Sequence, residues 1–245
     1  LPFGGVQLLM IGDLQQLAPV VTPQEEHLLG QHYDTPFFFS SNALKQVGYL
    51  TIELKKVYRQ QDEQFISLLN QIRENKASEA TLQALNQRYI PNFVPPKEGN
   101  YIRLTTHNAP AQYINEQQLA ALPAQSFSFT ADIEGDFPET SYPADFKLTL
   151  KPGAQVMFIK NDPQHRFYNG MIGEVIGVRT DEDGSKITVR SKDSGEEFDL
   201  EKMEWTNAKY TLNEKTKEIE ETVEGKFMQY PLRLAWAITI HKSQG

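Results

Sequence analysis

The sequence predicts an α/β architecture interrupted by a small β-barrel-like module. Three observations carry this. Strand-like and helix-like segments alternate up to about residue 127. From Phe127 helical periodicity vanishes, and short β-branched runs follow at close turn spacing. At Leu232 the chain returns to an apolar α/β run. A β module inserted within an α/β domain is the simplest topology for that order.

Taken in order, Val6-Gln7-Leu8-Leu9-Met10-Ile11 is a near-continuous apolar run ending in Gly12-Asp13. It reads as a central parallel strand with polar residues at its carboxyl edge. Such a strand needs neighbours, so the chain is expected to be a fragment of a longer protein. Residues 36–41 form an aromatic cluster with a serine N-cap, followed by a short helix over 42–47. Residues 49–54 read as another strand. Phe65, Ile66, Leu68, Leu69 and Ile72 recur at helical spacing and predict a helix over 62–75, with a second over 79–89. Pro91, Pro95 and Pro96 mark a loop. A short strand at 101–105 and a helix at 109–122 complete the α/β part.

The β segment predicts strands at 145–150, 155–160, 172–180, 186–191 and 196–200. Pro152-Gly153, Asn169-Gly170, Asp183-Gly184 and Ser194-Gly195 supply the turns between them. A further hairpin spans 206–228, turning near 213–217. The run from Leu232 to Ile240 is a buried strand or a short helix, and it ends abruptly in His241-Lys242-Ser243-Gln244. An apolar element that delivers donors to its tip is built to hold something polar or anionic.

Composition bounds the function. The 245 residues allow a sizeable core in one or two domains. No stretch of about 18 apolar residues occurs, so no membrane span is expected. The absence of cysteine removes disulfides and thiolate metal sites, and fits a cytoplasmic setting. The net charge of −8 looks wrong for a nucleic-acid binder, but it is unevenly spread. Residues 130–225 carry 21 acidic and 12 basic side chains; the remainder carries 11 and 12. An acidic segment repels phosphates on average, although a local groove can still be basic.

Several residues stand where α/β proteins bind ligands. Asp13 and Gln16 follow the first apolar run at the sheet's carboxyl edge. Alone, Asp13 reads equally well as a loop cap, and Gln16 as an exposed loop residue. Arg59 follows a strand and precedes a helix, where its planar fork would suit a phosphate. A surface salt bridge with Asp62 or Glu63 is the plainer alternative. Thr105, Thr106 and Asn108 lie between a strand end and a helix, with Asn108 as N-cap. Hydroxyls and helix amides there also suit a phosphodiester backbone. Glu25, Glu26, His27, His32 and Asp34 cluster without the spacing of a known metal site, so a solvated loop and no metal are expected. Trp236 lies inside an apolar run and reads as core; Trp205 is open to base stacking or packing. Phe167 and Tyr168 are open to stacking on bases or to bracing a hairpin.

Together these elements stop being ambiguous. GDLQQLAPV, VYRQ, LTTHNAPAQYIN, GAQVMFIKND with NGMIGEV, and AWAITIHKSQG occur in that order. The set resembles the superfamily 1B DNA helicases, in particular the Pif-type branch, which is similar to the RecD-like group. The likeness runs from Pro2 to Gly245 and is weakest in the β segment. It implies a RecA-like P-loop NTPase motor domain (the second of two) with an inserted small Src-homology-3-like β-barrel. Residues 1–50 would then be the tail of the first motor domain, 51–127 with 229–245 the second, and 128–228 the insert.

The resemblance also assigns roles. Gln16 matches the glutamine that senses the ATP γ-phosphate, and Asp13 the aspartate of the same motif. Arg59 matches the arginine finger. Thr105, Thr106 and Asn108 match residues that hold the single-strand backbone. Thr239, His241, Lys242, Ser243 and Gln244 match the motif linking the DNA track to the nucleotide, with Gln244 on the nucleotide side. The implied protein is a monomeric ATP- and Mg²⁺-dependent helicase of DNA repair and recombination. It would move 5′ to 3′ on single-stranded DNA and act at duplex junctions.

Departures matter equally. The sequence contains no Gly-x-x-x-x-Gly-Lys-Ser/Thr loop, and the acidic pair that would hold Mg²⁺ is also missing. Ala18 stands where this branch often has proline. The 245-residue chain is therefore expected not to hydrolyse ATP alone. A motor-less nucleic-acid adaptor is the alternative, and an acidic module docking a basic protein is a third reading.

Overall fold

The computed structural model describes residues 2–58, 60–96, 99, 101–181, 184–212 and 219–243. Contacts divide the chain into residues 1–94 and 95–245. Among the described residues no helix is long and apolar enough to cross a membrane.

Among its described residues the first unit holds four α-helices: α1 (Pro23–Gly30), α2 (Asn42–Lys45), α3 (Glu63–Arg73) and α4 (Glu79–Asn86). Three have side-chain caps that explain where they begin. Thr22 and Glu25 form a reciprocal capping box, with Pro23 at the first helical position. Asp62 accepts from the Phe65 N–H at 3.0 Å, and Ser78 accepts from that of Thr81 at 3.2 Å. Hydrophobic spacing does not mark helix α1, because its apolar and polar residues are not segregated onto separate faces.

Two expected strands do not form. Residues 6–11 and 49–54 carry no strand pairing, and Ile11 is 88% and Leu50 85% exposed. The reason is physical. A parallel strand exists only through its neighbours, and no strand occurs among the described residues of this unit. Only Ser40, Leu44 and Thr81 are buried there.

The second unit opens with β1 (Arg103–Thr105), then α5 (Asn108–Ala121). It continues through β2 (Phe127–Thr130), β3 (Asp132–Gly135), β4 (Lys147–Leu150), β5 (Gln155–Phe158), β6 (Ile172–Asp181), β7 (Gly184–Ser191) and β8 (Glu197–Leu200). A long hairpin follows, β9 (Met203–Leu212) and β10 (Ile219–Gln229), and its expected turn at 213–217 lies outside the described residues. The final elements are β11 (Leu232–Leu234), β12 (Ala237–Thr239) and α6 (Ile240–Ser243). The apolar run of 232–240 is thus two short strands that serve different sheets.

β1 and β12 pair in parallel, the one α/β piece of sheet among the described residues. The rest is antiparallel: a five-stranded sheet in the order β11-β5-β6-β7-β8, a three-stranded sheet β3-β10-β9, and the pair β2-β4. Among the described residues these sheets do not close into a barrel. The chain is a mixed α/β fold.

One core unites most of this. Leu148, Leu150, Val156, Phe158, Val175, Ile187, Val189 and Leu232 are at most 1% exposed. Leu119 and Leu122, from the end of α5 and just beyond it, pack against the same cluster. Each such side chain contributes about 1.5–3 kcal/mol by leaving water. Phe167 belongs here, 4.5 Å from Phe158 between ring centroids and 3% exposed, so it braces the loop and is not a base platform. Tyr168 beside it is exposed. Trp236 packs on this core as expected. Trp205 packs edge-on to Phe227, with the Lys160 ammonium 4.7 Å over its ring.

At one point the backbones of β3 and β10 touch. A Cβ on Gly225 would lie 2.2 Å from the Asp136 carbonyl oxygen. Only glycine permits that approach.

Three buried amides stitch the strands at their bare edges. Gln229, fully buried, donates to the Phe129, Asp145 and Phe146 carbonyls at 3.0–3.3 Å and accepts from the Tyr230 N–H at 3.0 Å. Gln155 donates to the Ala235 and Tyr101 carbonyls at 2.9 and 3.1 Å. Asn115 clasps Ala237. Buried backbone groups must be paired, and these side chains do what an absent neighbouring strand would do.

Candidate nucleic-acid interface

The parallel pair sets the site. In-register pairing puts Thr105 directly beside Thr239 at the carboxyl ends of β1 and β12. Each strand then enters a helix, α5 after Thr105 and α6 after Thr239. Carboxyl ends of parallel strands are where open α/β sheets bind ligands.

The hydroxyls at this edge are already oriented. Thr105 Oγ1 donates to the His107 carbonyl at 2.9 Å, and Thr106 Oγ1 meets His107 Nδ1 at 2.8 Å. His107, not Asn108, occupies the N-cap, and its side chain makes no cap bond. Asn108 is the first helical residue. The extended backbone at His107 (φ −131°, ψ 157°) makes it the N-cap, but its ring is engaged with Thr106, so the first amides of α5 have no side-chain acceptor. A 14-residue helix presents a partial positive charge at that end.

A groove of about 640 Å³ runs from this edge across the second unit. Asn108 and Gln112 line it from α5, Lys147 from β4, Arg233 from β11, and Thr239 and Lys242 from the β12–α6 corner. Lys151 also lines it, but its ammonium is bound to the Leu122 carbonyl at 2.8 Å, where it caps the end of α5. Asp145 and Glu116 are the acidic members. The lining therefore carries four cations and two anions, although the chain as a whole is acidic. Arg233 uses one guanidinium nitrogen on the Pro143 carbonyl at 3.2 Å and keeps the rest of its fork. Lys242 is exposed as a residue, but partial desolvation of its ammonium in the groove, with Arg233 nearby, pushes it below the usual lysine range, while Asp145 pulls it back up. An ammonium held against a like charge is relieved by a bound anion.

The remaining expected residues lie as follows. His241 is exposed on α6. Ser243 turns its hydroxyl back onto the Ile240 carbonyl at 2.6 Å. Arg59 and Gln244 lie outside the described residues. Asp13 and Gln16 belong to the first unit. Asp13 is a loop cap: its carboxylate accepts from the Gln15 N–H at 2.9 Å and stands 3.6 Å from the Arg73 guanidinium. Gln16 is exposed, with its N–H on the Asp13 carbonyl at 3.2 Å. Of the polar cluster in α1 and beyond, Glu25 closes the capping box and Asp34 stands 3.6 Å from Lys45.

Sequence reasoning missed Asn115, Lys147 and Arg233. Asn115 had a signal: it interrupts the apolar stripe Ala111–Leu119 at helical spacing. Lys147 and Arg233 had none, because they reach the groove from strands more than 80 residues apart in sequence.

No protein-family model matches the chain. Over its whole length it is 34% identical to "ATP-dependent DNA helicase Pif1" of Psychrobacter sp. strain PRwf-1, covering 43% of that protein. It is 31% identical to the protein of the same name from Bdellovibrio bacteriovorus, covering 51% of it. Bacteroides sp. Pif1 in complex with ADP-AlF4 superposes with a TM-score of 0.84 at 39% identity, over 99% of this chain and 54% of that one. The Bacteroides protein bound to single-stranded DNA superposes with a TM-score of 0.64. The chain spans about half the length of the relatives it matches.

Proposed function

We propose that this chain, which belongs to the Pif1-type DNA helicases, forms the single-strand-gripping part of an ATP-dependent motor that moves 5′ to 3′ and unwinds duplex DNA. The observation that carries the proposal is the register of the parallel pair. It sets Thr105 beside Thr239, with Asn108 and Lys242 on one groove below them. Hydroxyls, a helix amino end and spare cations hold a phosphodiester backbone without reading its bases. In this reading Thr105, Thr106, Asn108, Thr239, His241, Lys242 and Ser243 hold DNA. Solved relatives bound to single-stranded DNA and to ADP-AlF4 support it.

Nucleotide contacts fall to Gln16, Asp13, Arg59 and Gln244. Bound ATP with Mg²⁺ would supply the phosphoryl group whose transfer drives the motor. The chain's own residues fit that role only in part. Gln16 is exposed and ready to orient a polar ligand atom. Asp13 is committed to the turn that presents Gln16. No glycine-rich phosphate cradle occurs in the 245 residues, so the chain alone turns over no ATP. Residues 128–228 act as a Src-homology-3-like insert that lies along the strand; the antiparallel meander of β5 to β8 supports that reading. The motor works as a monomer at duplex junctions.

The test uses the full-length protein. Single-stranded DNA should stimulate its ATP turnover, and a duplex with a 5′ tail should be unwound in preference to one with a 3′ tail. Replacing Thr239 with Val should weaken both responses. Binding without stimulated turnover would favour an adaptor and end the motor reading.

A further inference from the structure

Ala237 opens β12, and among the described residues β12 has a partner strand on one side only. On that side the Trp236 carbonyl accepts from the Arg103 N–H at 2.9 Å. Successive residues of a strand turn their N–H and C=O to opposite edges, so those of Ala237 face away from β1. There the buried Asn115 side chain closes on them from α5. Its Oδ1 accepts from the Ala237 N–H at 2.9 Å, and its Nδ2 donates to the Ala237 carbonyl at 2.8 Å. A longer contact, 3.4 Å, reaches the Leu234 carbonyl at the end of β11. One amide thus occupies both backbone groups of the first residue of the strand that carries Thr239. It does so from the helix whose amino end carries Asn108.

We propose that Asn115 is a positioning residue for the single-strand grip. It fixes the two walls of the groove, α5 and the β12–α6 corner, at one spacing, so that Asn108, Thr239 and Lys242 meet the same stretch of backbone. The inference rests on the single-strand reading of the groove. Among the described residues no other side-chain hydrogen bond joins α5 to β12 or α6. Thr105 Oγ1 lies 3.4 Å from the Ile238 carbonyl, but it belongs to β1 and spends its shorter bond on His107. Apolar contacts at Ala111 and Ala237 allow sliding; a two-way amide clasp fixes register. Asn115 need not touch DNA to act. Its effect passes through the strand it holds.

The experiment measures ATP turnover of the full-length protein against oligothymidylate concentration for wild type, Asn115→Leu and Asn115→Asp. Leucine keeps the branched shape, with somewhat more bulk, and removes every bond; aspartate keeps both the size and the acceptor for the Ala237 N–H and removes the donors. For Asn115→Leu the DNA concentration giving half-maximal stimulation should rise about tenfold, while the maximal rate stays within about twofold, because saturating DNA restores the spacing. Asn115→Asp should fall between leucine and wild type. If the leucine variant does not fold, the same split read on the aspartate variant decides. Half-saturation unchanged in variants that melt like wild type overturns the inference. So does a maximal rate that falls in step with affinity, which marks general damage. A wild type without DNA-stimulated turnover overturns the groove reading itself, a result distinct from unaffected variants in a responsive protein.

Discussion

Lys242→Ala should reduce the salt dependence of single-strand binding by one phosphate contact. The groove offers three cations for phosphates: Lys147, Arg233 and Lys242. The fourth, Lys151, is bound to the Leu122 carbonyl. Each single-strand phosphate contact contributes a slope of about −0.7 in log affinity against log salt, so three give about −2. Raising salt from about 50 to about 200 mM then weakens binding about 20-fold through this groove alone, and about sevenfold once one contact is gone. The assay is fluorescence anisotropy of labelled oligothymidylate, titrated at four or so salt concentrations. Other contacts add a constant slope, so the difference between variants is what counts. Lys151→Ala is the control: it removes the same charge but should leave the slope unchanged while lowering stability at the end of α5. The reasoning fails if Lys242→Ala leaves the slope intact, or if Lys151→Ala lowers it equally.

Gln229→Leu strands the Tyr230 N–H and removes the donor that serves three carbonyls; the Phe146 carbonyl keeps its bond from the Ala131 N–H. One or two buried groups left unpaired cost about 2–4 kcal/mol, a melting-temperature drop of about 4–16 °C for a unit of this size. A calorimetric shift below about one degree would show that the amide is idle. The lowered pKa of Lys242 sets a pH dependence. Its charged form is disfavoured in the free protein, so charge is lost as pH rises toward the lowered value, before an ordinary lysine would lose it. Single-strand affinity should therefore decline on the alkaline side, and Lys242→Arg should flatten that decline; parallel curves for the two proteins would discount the role of Lys242.

Much of the second unit was legible because its signals are local. Asn169-Gly170 and Ser194-Gly195 fall between strands as expected, with positive φ at both glycines. Helices α3, α4 and α5 follow their apolar spacing to within two or three residues. The strands of the first unit were misread because strand character there depends on partners, and hydrophobic pattern cannot supply them. Strands β2 and β3 escaped because each is only four residues long, too short for its alternation to stand out. In the site, Thr105, Thr106, Asn108 and Thr239 were legible as motif residues at strand ends. Their adjacency was not: it depends on the parallel pairing of segments more than 130 residues apart. The cap at Asn108 was one residue off because Asn and His both tolerate that position, and backbone geometry decides.

The topology also bears on how separable the proposed insert, residues 128–228, would be. Lys147, within 128–228, forms one wall of the groove, while Arg233 and Lys242 lie outside that range. The core is shared in the same way. Leu148 and Leu150 of the insert pack in one cluster with Leu232, and Leu119 and Leu122 cover it from the α5 side. Removing 128–228 would bare Leu119, Leu122 and Leu232 to water and take away the Phe129, Asp145 and Phe146 carbonyls that satisfy Gln229. An acidic insert that only orients a strand from a distance could be tethered by a loop. The 128–228 segment instead shares a common core with the rest of the unit and contributes Lys147 and Lys151 to the lining. Its acidity and its part in a basic groove are compatible because charge acts locally: counter-ions screen exposed charges beyond about 8–10 Å, so the four cations of the lining, and not the net charge of the segment, set the potential a phosphate meets.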